Sequence, residues 1–80
     1  MTHEIQWTYE IAGQTEIYRA KYDSYKLVIY WCGSGWWTGI VINEWGHTKQ
    51  LWSKDLADAQ ARTYRKAVAL NFAAFLGGAS

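Results

Sequence analysis

Eighty residues, half of them hydrophobic, leave room for one domain around one modest core. Six Trp and six Tyr exclude a disordered chain, and eight Lys and Arg against seven Asp and Glu (net +1) exclude a strongly basic nucleic-acid coat and an acidic DNA mimic alike. The single cysteine, Cys32, excludes an internal disulfide and points to a reducing compartment, the cytoplasm.

The first two-thirds of the chain read as strands. Ile5, Trp7, Tyr9 and Ile11 alternate with Glu4, Gln6, Thr8 and Glu10, the period of a half-buried strand. Ala12-Gly13 is the expected turn into a second strand, about 15–22. Asp23-Ser24 turns into a third, about 25–32, rich in Val, Ile, Tyr and Trp. Gly33-Ser34-Gly35 breaks it, a fourth strand follows over about 36–43, and Trp45-Gly46 leads to a fifth over about 47–52. Centring each hairpin on these turns gives the registers. Ile11 then opposes Gln14, Tyr22 opposes Tyr25, Ile29 opposes Ile40, and Ile40 opposes Leu51. Directly opposed residues share a face. The registers therefore predict one apolar face of Ile5, Trp7, Tyr9, Ile11, Tyr18, Ala20, Leu27, Ile29, Ile40, Ile42 and Leu51.

The last third reads as a helix over about 54–76. Ser53 or Asp55 caps it, Asp55 and Asp58 suit the positive end of its dipole, and Gly77-Gly78 ends it. Ala57, Ala61, Tyr64, Val68 and Phe75 fall on one stripe at a period of 3.6, opposite Asp58, Arg62, Arg65 and Lys66. Leu70 and Phe72 flank the stripe, where they widen the core contact or form a dimer seam. The fold class is α+β: an antiparallel meander of four to five strands with one C-terminal helix on one face.

The same registers place Ile17, Val28, Tyr30, Trp37, Val41 and Trp52 on the face away from the helix, bordered by Arg19, Lys21 and Lys26. One helix covers one face, so this aromatic surplus reads as an interaction surface. The expected partner-binding residues are Tyr30, Trp37, Trp52, Arg19 and Lys26, with Arg62, Arg65 and Lys66 as a small basic patch on the helix. A protein partner fits the near-neutral charge. A single-stranded nucleic acid is the alternative, with bases on the rings and phosphates on the cations. A monomer and a homodimer both remain open.

Catalysis has little footing. Cys32 beside Gly33-Ser34-Gly35, with His47 distant, does not make a nucleophile and base, and Gly33-Ser34-Gly35 lacks the lysine and helix of a phosphate loop. No enzyme, metal or cofactor is expected. No apolar run reaches the ~18 residues of a membrane span. The start of the chain, Met1-Thr2-His3-Glu4, has no basic or apolar region of a signal peptide.

The aromatic meander Tyr25-Lys26-Leu27-Val28-Ile29-Tyr30, then Gly35-Trp36-Trp37-Thr38-Gly39-Ile40-Val41, followed by an Ala-rich helix, resembles small phage-encoded anti-CRISPR proteins. The resemblance is one of size, layout and composition across most of the chain. It implies a non-enzymatic inhibitor in the bacterial cytoplasm that binds a CRISPR effector subunit and blocks target DNA. The order of sheet and helix also resembles single-stranded DNA-binding coactivator modules, which pair as dimers.

Overall fold

The first three strands are successive antiparallel neighbours. Burial alternates along the third, residues 25–31, but the expected half-buried first strand is exposed at every residue from 8 to 12, Ile11 at 63%. The computed structural model describes residues 5–31, 33, 35–46 and 48–78, with the backbone alone from 75 to 78. Glu4, Cys32, Ser34 and His47 lie outside these residues, as does the side chain of Phe75.

The strands are β1 (Thr8–Ala12), β2 (Thr15–Tyr22), β3 (Tyr25–Trp31), β4 (Trp37–Ile42) and β5 (Thr48–Ser53), followed by the helix α1 (Leu56–Gly78). They form one open sheet in sequence order. The narrowest extent of the Cα trace, 19 Å, is that of one sheet layer and one helix layer. The α+β meander with a single C-terminal helix is thus the observed fold. Among the described residues no helix is long and apolar enough to cross a membrane.

The turns set the registers. Ala12 opposes Thr15, so Gly13-Gln14 is the two-residue loop, with Gly13 at φ 64°. A glycine with positive φ at the first loop position is what a tight hairpin asks for. The expected loop, Ala12-Gly13, lies one residue too early, which shifts the pairing by two and leaves every side chain on its expected face. Tyr22 opposes Tyr25 as expected.

The β3–β4 hairpin differs by one residue, and the consequence is large. Trp31 opposes Trp37, so the loop runs over five residues, 32–36, and Leu27 opposes Val41 rather than Ile42. A slip of one turns the whole of β4 over. Val41 is therefore buried in the core at 2% exposure, while Ile40 and Ile42 face away from the helix. The β4–β5 loop is also five residues long, 43–47, with Ile42 opposing Thr48. This second slip cancels the first, so Leu51 and Trp52 keep their expected faces.

Helix α1 lies across the face built by Ala20, Leu27, Ile29, Gly39, Val41 and Leu51. Its innermost residues are Ala59, Thr63 and Ala67, each fully buried. The expected stripe is rotated: Ala57 and Ala61 are exposed, and Tyr64 and Val68 lie at its margin, half-buried. Small side chains win the centre because the helix backbone comes close to the sheet there. A Cβ on Gly39 would overlap Thr63 Oγ1 and lie 3.2 Å from Leu51 Cδ1. Leu70 packs at the core margin, whereas Phe72 is exposed. Tyr22 and Tyr64 meet edge to face with centroids 5.3 Å apart, tying the helix to β2.

Asp55 caps the helix. Its Oδ2 accepts from Asp58 N at 2.8 Å, and its carbonyl accepts the first helical bond from Ala59 N at 2.9 Å. Ser53 braces the cap: its Oγ donates to Asp58 Oδ2 at 2.7 Å and accepts from Asp55 N at 3.2 Å. Both residues expected for the cap take part, in different roles.

Candidate functional site

The face of the sheet away from the helix is built in rows by the cross-strand pairs. One row is Glu10, Ile17, Tyr30, Thr38 and Trp52. The next is Thr8, Arg19, Val28, Ile40 and Gln50. A third is Lys21, Lys26, Ile42 and Thr48. The centre of this face is aliphatic and aromatic, and its border is polar. Ile17, Val28, Tyr30, Ile40 and Ile42 are half-buried among the side chains of this face, since α1 lies on the opposite side. Thr38 is 2% exposed between the larger Tyr30 and Trp52. Trp52 itself is 54% exposed.

Of the expected partner-binding residues, Tyr30, Trp52, Arg19 and Lys26 share this face. Trp37 does not. The one-residue register of β4 puts it on the helix side, against Trp31 and Tyr18. In exchange the outer face gains Ile40 and Ile42, which no centred hairpin would place there.

The charges on this face are unequal. Arg19 Nε meets Glu10 Oε1 at 2.8 Å, an exposed diagonal pair of the kind worth at most ~1 kcal/mol. Lys21 and Lys26 stand directly opposite each other, both exposed. Like charges so placed work against the hairpin, and a neighbouring anion relieves them.

The helix cations do not form one patch with this face. Arg62 turns back, donating from Nη1 to the Trp52 carbonyl at 3.0 Å, with Asp58 Oδ2 at 3.5 Å. It covers a backbone acceptor at the β5 edge, a structural task. Arg65 and Lys66 are exposed on the far side of the helix.

A second aromatic surface escapes the sequence reading. Helix α1 starts beside β5 and crosses β4 and β3 towards β2, without reaching β1. The helix-side corner over β1 and the loop ends of β3 and β4 stays open. There the rings of Tyr9, Tyr18, Trp37 and Trp31 follow one another, with centroids 4.9, 5.9 and 5.1 Å apart. Tyr9 is 48% exposed, and its hydroxyl donates to Glu16 Oε1 at 2.9 Å. That bond, together with partial burial and the Glu16 charge, raises the Tyr9 pKa above its ordinary value. The legible signal was Glu16 itself, a carboxylate on the apolar side of a strand.

Among the described residues no three His, Cys, Asp or Glu side chains gather as a metal site. No protein-family model matches the chain, and no curated protein or solved structure is significantly similar to it.

Proposed function

We propose that this chain is a non-enzymatic protein-binding module that takes its partner on the outer sheet face, with inhibition of a CRISPR effector as the specific form of that role. The observation that carries the reading is the run of Ile17, Val28, Tyr30, Ile40, Ile42 and Trp52, which faces away from α1. An apolar centre with an aromatic anchor and a polar rim is the layout of a protein interface. The paired Lys21 and Lys26 favour a partner that brings carboxylates to that border. Such a module inhibits by occupying a surface its partner needs, without any chemical step.

The face fits single-stranded nucleic acid less well. Base binding wants successive rings along a basic groove. Here Thr38 separates Tyr30 from Trp52, the rest of the face is aliphatic, and Arg19 is already matched by Glu10.

Size-exclusion chromatography of the purified protein with CRISPR effector complexes tests the proposal. Co-elution with one effector is expected, lost in Ile40→Glu and weakened by Trp52→Ala, both checked for fold by circular dichroism. Failure to co-elute with any effector, together with no protection of phage, sinks the inhibitor reading. Salt-sensitive quenching of Trp fluorescence by single-stranded DNA would transfer the face to the nucleic-acid reading.

A further inference from the structure

The helix-side corner combines four aromatic rings with one carboxylate, and the combination has an electrostatic consequence. Glu16 points to the same side of the sheet as Tyr9, Tyr18, Trp31 and Trp37. It neighbours Tyr18 two residues along β2. It opposes Ile11 across β1, and one step beyond the Ile17–Tyr30 pair the register places it level with Trp31. Its residue is half-buried, and among the described residues no Lys or Arg pairs with it; the two ion pairs are Arg19 with Glu10 and Arg62 with Asp58. The Tyr9 hydroxyl satisfies one oxygen and brings no charge. A half-buried carboxylate among aromatic side chains makes a negative potential, and no Lys or Arg among the described residues neutralises it by pairing.

We propose that this corner binds an alkylated ammonium group, with Tyr9, Tyr18, Trp31 and Trp37 as its aromatic walls and Glu16 as its counter-ion. Three alternatives fit the chemistry worse. A bare ammonium brings three N–H donors and a tight hydration shell, for which one partly used carboxylate gives too few acceptors. A hard metal cation needs several oxygen ligands. A nucleic acid would set phosphates against Glu16, and the rings are inclined to one another by 50–64°, so they offer no flat stacking platform. An alkylated nitrogen presents C–H groups to inclined ring faces, sheds water cheaply and keeps its charge for Glu16.

The site lies on the opposite side of the sheet from the proposed partner face, so the two readings fail separately. The test titrates the whole protein with choline, with its neutral carbon isostere 3,3-dimethylbutan-1-ol, and with matched trimethyllysine and unmodified lysine peptides. Readouts are Trp fluorescence and the indole N–H resonances, with Trp31→Phe and Trp37→Phe assigning the signals. Saturable binding of choline or the trimethyllysine peptide is expected, with shifts confined to the indoles of residues 31 and 37. The neutral isostere and the Glu16→Gln variant should each bind about fivefold or more weakly. Tighter binding of the peptide assigns the group to a modified protein, and tighter binding of choline to a small molecule. Equal binding of the isostere, no saturation by either cation, or unchanged binding in folded Glu16→Gln overturns the proposal.

Discussion

Replacing Gly39 by alanine probes the contact on which the whole arrangement of helix and sheet depends. The new Cβ would occupy the space of Thr63 Oγ1 and stand 3.2 and 3.4 Å from Leu51 Cδ1 and Cγ. Thr63 is fully buried, and its branched side chain has few χ1 choices inside a helix, so the helix must lift or the strand must sink. Overpacking of this kind costs about 1–3 kcal/mol. The lower backbone entropy of alanine returns about 0.5–1 kcal/mol. The net expected loss is about 1–2 kcal/mol, a fall in Tm on the order of 5–15 °C for a domain this small. Thr63→Ala on its own should be near neutral, within about 1 kcal/mol, because it deletes a methyl but also a buried hydroxyl that has no hydrogen-bond partner among the described residues. The double variant Gly39→Ala/Thr63→Ala puts one methyl where one oxygen was removed. It should be more stable than the sum of the single changes by about 1 kcal/mol. Urea titration followed by Trp fluorescence measures all three. A Gly39→Ala protein as stable as the parent, or strict additivity in the double variant, would refute the close approach of α1 to β4.

The β4 register has its own test: Val41→Asp should abolish folding by burying an unpaired charge, while Ile40→Gln should cost under about 1 kcal/mol, and circular dichroism of both separates this register from the one-residue alternative. Asp55→Ala removes the cap and should cost about 1 kcal/mol in urea titration. The Asp58 carboxyl is held below its ordinary value, first by the Ser53 hydroxyl, against burial, which raises it, and then by Arg62 and Arg65. A lowered folded pKa means that its contribution is present above the unfolded value and fades as pH falls through the folded one. Ser53→Ala should therefore flatten the acid limb of a stability profile below about pH 4. Tyr9 runs the other way: its hydroxyl is kept protonated by Glu16, so its contribution is present below about pH 10 and lost as pH rises through its higher folded value. Absorbance titration should show a tyrosine that ionises late, and Glu16→Gln should bring it back towards the others.

The amino-acid sequence by itself determined much of this protein. Alternation in β1, β2 and β3 marks which residues point together, and the Asp23-Ser24 turn pins Tyr22 to Tyr25. Ser53, Asp55 and Asp58 announce the helix start before any contact is known. Tyr30 and Trp52 were legible as outward-facing anchors from the hairpin registers, which hold for Tyr30 through β2 and for Trp52 because the two slips around β4 cancel.

Tertiary structure decided the rest. Alternation relates residues within a strand, but the phase between strands depends on whether a loop has an odd or even number of residues. The two five-residue loops, 32–36 and 43–47, carry no local signal strong enough to set that parity. Burial sets it instead, by placing Gly39 under Thr63 and Val41 in the core, which carries Trp37 to the helix side. The aromatic corner follows from a second global choice, the diagonal of α1. Ala59, Thr63 and Ala67 let the helix sink close along one line, and a straight helix on that line cannot also reach β1. Tyr9, Tyr18 and Trp37 remain at the open corner with Glu16 because the helix is narrower than the sheet it covers.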